Sequence, residues 1–395
     1  MAITAPPSRP PSALSADRPA PADAQALFEE ARRRRRRRYR YGVFTLVVAL
    51  GLGTGLLVSS GRTPQRAEKS PAHKAPVRLP VATLVPGVTP HQPGPLAVGP
   101  TGTLHVADEA RDQILERLPD GRFQVVAGTG RIGFSGDGGP ALDAQLSGPE
   151  GMVVGGNGAL YFADSGNDRV RAILPDGTIT TVAGNGHQAA GFDGTPLLGA
   201  SADGSAIGTT EALAFGPDGS LYIAAADAVL ELHGDGTLSM VAGAQSFLGV
   251  DPRYPDDADC DPDGLAFDGS GDLYMACSGT YDLLEQTAAG TFTYRGILRP
   301  HDAHAALTAG PDGSVLGLWQ ASVQRYTPTQ QQEVLNFDTV KGVGDFWPQG
   351  VAVAPDGTVY YDQDGISGIG PPAIVAQTKS GVVTSLWSHV TPAHR

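Results

Sequence analysis

The chain has 395 residues, among them 53 glycines and 32 prolines, and only 17% are charged, a composition of many turns and short strands rather than long helices. Charge is divided: residues 1–80 hold 15 Lys and Arg against 5 Asp and Glu (net +10), which leaves 13 against 36 (net −23) for residues 81–395. An acidic body of that size repels phosphate backbones, so nucleic acid is excluded as a partner while cations and basic partners suit it.

Residues 1–40 read as a disordered basic tail, Pro-, Ala- and Ser-rich at first, with a short helix through "AQALFEEA" and eight arginines between positions 32 and 40. Residues 41–61, "YGVFTLVVALGLGTGLLVSSG", carry no charge over 21 positions, enough for a helix to cross a hydrocarbon core of roughly 30 Å. Arginines before that span keep the tail in the cytoplasm and send everything after Gly61 across a single-pass cell membrane. A cleaved signal peptide is the rival reading, with Val58 and Ser60 as small residues before the cut, but its charged region would be unusually long. Residues 62–80, with Pro64, Pro71, Pro76 and Pro80, form an extended tether to a domain spanning 81–395.

That domain is repetitive. "LAVGPTGTLHVAD" (96–108), "MVVGGNGALYFAD" (152–164), "LAFGPDGSLYIAA" (213–225), "LAFDGSGDLYMAC" (265–277), "LTAGPDGSVLGLW" (307–319) and "VAVAPDGTVYYDQ" (351–363) each join two apolar strands through a glycine turn. The turn glycines are Gly102, Gly158, Gly219, Gly271, Gly313 and Gly357; a second turn follows at Gly121, Gly177, Gly236, Gly290 and Gly381. Two linked hairpins make a four-stranded antiparallel sheet, and six such sheets that bury little alone predict an all-β, six-bladed propeller.

The run "AGTGRIGFSGDGGPALDAQLSGPEGMVVGGNGALYFADSGNDRVRAILPDGTITTVAG" resembles one unit of an NHL-repeat propeller, including its "NDRVR" and its closing "TVAG". The likeness is fullest in the second unit, partial in the first and third, and confined mainly to the first hairpin in the others. It implies a shape used by bacterial membrane-anchored NHL-repeat proteins, receptor-kinase sensor domains and extracellular scaffolds. Propellers of similar outline also include lyases and lactone hydrolases, so fold alone does not decide function.

Several stretches compete for chemistry. The glycine-rich run 128–154 lacks the Lys of a phosphate loop and leads into a strand, so it reads as the crossover between blades, with Asp137 bonding its own turn; a calcium or ligand loop is the alternative. Residues two before each repeated strand form a ring, Gly94, Glu150, Glu211, Asp263, Ala305 and Gln349. Glu150, Glu211, Asp263 and Gln349 are therefore the candidate ligand- or cation-binding residues at one channel mouth, with calcium the candidate ion. An alternative metal set uses Asp259 and Asp261 of "DDADCDPDG", an incomplete EF-hand with Ser270 where a Glu is needed, and His301 and His304 of "HDAH". Cys260 and Cys277 flank one hairpin, and export permits oxidation, so they are expected to pair. The reading favours a membrane-anchored scaffold that binds a protein, peptide or small-molecule ligand in the envelope; the alternative is a metal-dependent hydrolase or lyase at the channel mouth.

Overall fold

The structure is a computed structural model that describes Val88 and residues 90–187, 200–226, 228–243, 260–277, 282–297, 306–319, 322–327, 330–336, 350–363 and 373–388. The span 41–61, the tail and the tether lie outside the described residues, as do Asp259, His301, His304 and Gln349. Among the described residues no helix is long and apolar enough to cross a membrane.

Six antiparallel sheets follow one another along the chain, each with its four main strands in sequence order. We number them blades 1 to 6. Their innermost strands are Pro93–Val98, Pro149–Val154, Thr210–Phe215, Pro262–Phe267, Leu307–Ala309 and Val351–Val353. All eleven turn glycines named above adopt a left-handed φ between +79° and +88°. That conformation costs a residue with a Cβ and costs glycine little, which is why the turns recur as glycine.

Each sheet lacks a core of its own, and the cores lie between blades. Ile114 of blade 1 packs with Met152 and Phe162 of blade 2, and Val170 packs with Leu213 and Ile223 of blade 3. Val229 then meets Leu265 and Met275 of blade 4, and Tyr274 meets Val315 and Tyr326 of blade 5. Val323 joins Val351 and Tyr361 of blade 6, and Ala352 and Ile374 return to Leu96 and Val106 of blade 1. Six interfaces that end where they began define a closed six-bladed propeller. Among the described residues no strand is exchanged to shut the ring: blade 1 begins with the first main strand and blade 6 ends with the last. Because neighbours cover both faces of a middle strand, Leu273–Cys277 is buried at every position. A fully buried side chain such as Phe162 contributes about 2–3 kcal/mol.

Crossovers protect the outer edges. In the run 128–148, Gly138 N–H donates to Ile179 O (2.8 Å), Ile179 N–H to Gly139 O (3.0 Å) and Ala141 N–H to Gly177 O (2.9 Å). Ala200–Ser201 does the same for blade 3, pairing with Thr237–Ala242 as a fifth strand. An open row of backbone donors and acceptors would otherwise invite another strand. Asp137 differs from its expected role. Rather than bonding its own turn, it accepts from Arg171 Nη2 (2.7 Å) and from Thr181 Oγ1 (2.6 Å), both in blade 2.

Candidate functional site

The acidic residues of the repeat sit where the inner strands are irregular. Register against the second strand shifts between Glu150 and Met152 in blade 2, between Thr210 and Ala212 in blade 3, and between Pro262 and Gly264 in blade 4. Glu150, Glu211 and Asp263 thus each lie in a β-bulge at the start of an inner strand, a feature that re-aims side chains and ends pairing. Blade 1 has the same shift between Pro93 and Leu96, where the equivalent residue is Gly94. A Cβ at position 94 would collide with the carboxylate of Glu109. In blade 1, therefore, Glu109 from the turn after the second strand occupies the space a side chain at 94 would take.

Adjacent blades touch here. A Cβ on Gly151 would lie 2.7 Å from Ala212 Cα, so only glycine lets the bulge of blade 2 approach blade 3 so closely. Ser165 Oγ lies 2.6 Å from Thr210 O and 3.1 Å from Glu150 Oε2, a bifurcated donor that ties the Glu150 carboxylate to the next blade. Glu150 and Glu211 are half-buried and Asp263 is buried. Among the described residues no group of three or more His, Cys, Asp or Glu side chains gathers where one ion would touch them all. Asp261 is exposed beside Cys260.

Each blade also needs a closure that holds the segment before its inner strand. In blade 2, buried Asp164 accepts from Ser147 N–H (2.7 Å) and Asn167 Nδ2 (2.8 Å). Burial raises the Asp164 pKa, and these hydrogen bonds with the Arg171 charge work against that shift. Arg171 is itself fully buried and also donates to Gln145 O (3.1 Å) and Ser135 O (2.8 Å). In blade 1, Asp108 accepts from His91 N–H (2.8 Å) and Gln92 N–H (3.2 Å). In blade 4 the corresponding residues are Cys260 and Cys277, joined as expected in a disulfide with Cα atoms 4.8 Å apart. The bulge places Pro262, rather than Asp263, opposite Cys277.

Sequence reasoning named Glu150, Glu211 and Asp263 from the repeat and did not single out Glu109, Asp164 or Arg171. The signal for the last pair was "NDRVR" itself, since an arginine on an inner-blade strand must find a buried partner.

No protein-family model and no curated protein matches the chain. Solved structures do resemble it. A gluconolactonase from Xanthomonas campestris is 14% identical, with 69% of this chain and 84% of that chain covered and a TM-score of 0.50. A virginiamycin B lyase from Staphylococcus aureus is 12% identical over 77% and 86% of the two chains, with a TM-score of 0.48. A luciferin-regenerating enzyme is 12% identical over 76% and 94%, also at 0.48. At such identities the likeness is one of fold.

Proposed function

We propose that the chain is a membrane-tethered propeller that binds a positively charged partner, a protein or peptide of the envelope, at the mouth carrying Glu109, Glu150, Glu211 and Asp263. What supports this reading is the set of register shifts that place an acid at the start of three successive inner strands, with a fourth acid beside the place a side chain at residue 94 would take. Acids spread over successive blades suit several cationic groups along a peptide better than one small ion, and the net −23 of the domain steers encounter. The tether rests on the uncharged span 41–61 behind its arginines.

Titration of the full chain with an eight-residue lysine-rich peptide tests the site. Binding is expected to weaken with salt and to fall at least tenfold in Glu150→Gln/Glu211→Gln/Asp263→Asn. Peptide affinity unchanged in that variant would overturn it. Protease added to spheroplasts is expected to remove residues beyond about 80 and spare an amino-terminal tag, since the Arg run holds the tail inside; a protected propeller would reverse the topology.

A further inference from the structure

The other end of the channel has a different character. Where the inner hairpins turn, a cavity of about 310 Å³ is lined by Val98, Val154, Ala309 and Val353, with Pro100, Pro311 and glycines that precede the turn glycines completing the wall. These residues come from blades 1, 2, 5 and 6, and no charged side chain lines the space. The six-fold repeat explains why. At the position of Val98, Val154, Ala309 and Val353, blades 3 and 4 carry Phe215 and Phe267. Those rings fill the gap to the preceding blade, edge-on to Tyr161 (5.3 Å between centroids) and Tyr222 (4.7 Å). The smaller valines and alanine at this position line the cavity in the other four blades.

From this we infer that the hairpin end of the channel is a binding site for a small uncharged apolar molecule of one or two rings. The volume stands at the lower end of the range for small-molecule pockets, roughly 300–1,000 Å³, and above the roughly 150 Å³ that accepts benzene. An ionised group would find no countercharge among these side chains. A branched or aromatic hydrocarbon loses nothing and covers valine and proline surface. This site is separate from the acidic rim and does not depend on it.

A thiol reporter reads the site directly, because the chain's two native cysteines are bonded to each other. In the full chain carrying Val98→Cys, saturating toluene is expected to slow maleimide labelling at least tenfold along a one-site curve, and benzoate is expected to leave it unchanged. A thiol on the exposed turn of blade 6, Val382→Cys, is expected to label at one rate with or without toluene; position 382 is 51% exposed. Gly156 lines the cavity and a Cβ there would meet open space, so Gly156→Leu is expected to abolish toluene protection without disturbing the fold. If Val98→Cys melts early, Val353→Cys gives the same reading from the far wall. Labelling at both positions unaffected by toluene up to its solubility, or slowed equally at position 382, would overturn the assignment.

Discussion

Blades 2 and 4 fasten the same seam in different ways. Pro149 faces Asp164 in one and Pro262 faces Cys277 in the other, so Asp164 and Cys277 occupy equivalent positions. Two residues before each proline, Ser147 offers its amide to the carboxylate, and Cys260 offers a sulfur to the disulfide. The cations near the seam differ as well. Across the next strand pair, Phe162 faces Arg171 in blade 2, whereas Met275 faces Leu284 in blade 4. Blade 1 keeps a fully buried Asp108 with Leu115 at the place of Arg171 and meets it instead with Arg111 at 3.7 Å; in blade 4 the covalent link closes the seam without a buried charge.

Removing Arg171 is expected to have the largest effect on stability. Arg171→Met leaves Asp164 buried without its countercharge and leaves Asp137 of the crossover only Thr181 to hold it to blade 2, a loss of about 3–5 kcal/mol by analogy with other broken buried pairs. Denaturant midpoints check it; a loss under about 1 kcal/mol would show that the crossover holds without Arg171. Opening the disulfide comes next. Its 17-residue separation corresponds to about 3 kcal/mol in the chain-entropy treatment. Cys260→Ser/Cys277→Ala is expected to melt lower by that amount, and Cys260→Ser/Cys277→Asp lower still at neutral pH. If the aspartate variant were the more stable, blade 4 would tolerate a buried charge after all.

A third difference separates blade 1 from its neighbours and is read by pH. His105 stands where blades 2, 3, 4 and 6 carry Tyr161, Tyr222, Tyr274 and Tyr360. Its Nδ1 is buried with no hydrogen-bond partner, and burial lowers its pKa to about 4. Between pH 6.5 and about 4 the unfolded chain therefore binds the proton that the folded chain refuses. Stability present above pH 6.5 falls as pH drops through this window, by about 2–3 kcal/mol. His105→Tyr is expected to flatten that acid limb. Melting curves of the two proteins from pH 7 to pH 4 that stay parallel would place the acid sensitivity elsewhere.

What was legible in the sequence was what repeats at a constant spacing. The turn glycines needed no partner to be recognised, because each meets a local φ requirement. Cys260 and Cys277 were legible for a related reason: pairing about Ser270 already brings the ends of one hairpin together. Asp164, Asp137 and Arg171 were not, since their contacts join residues 7 and 34 positions apart and no spacing within the repeat says which acid meets the arginine. The rim was half legible. Alignment placed Glu150, Glu211 and Asp263 together, but backbone bulges set where they point, and Glu109 reaches the rim from a turn outside the aligned column.

Rim charges are expected to have the smallest effect on stability and the most selective one on ionic response. Glu150 and Glu211 carry like charges on touching blades, and such neighbours disfavour one another. Both remain half-buried at a wet mouth, so the repulsion is screened and amounts to about 0.5 kcal/mol. Glu150→Gln/Glu211→Gln is expected to melt slightly above the wild type at low salt. That advantage is expected to fade near 0.15 M, where the screening length is about 8 Å. Calcium at millimolar concentration then separates two accounts of the rim. If the acids act as separate charges, calcium does no more than an equal ionic strength of magnesium or sodium, in wild type and variant alike. A calcium-specific rise in melting temperature that disappears in the variant would make the rim an ion site after all. One that persists would point to the Asp259–Asp263 segment before blade 4, and the contrast between the acidic mouth and the apolar one would then rest on Glu109, Glu150 and Glu211 alone.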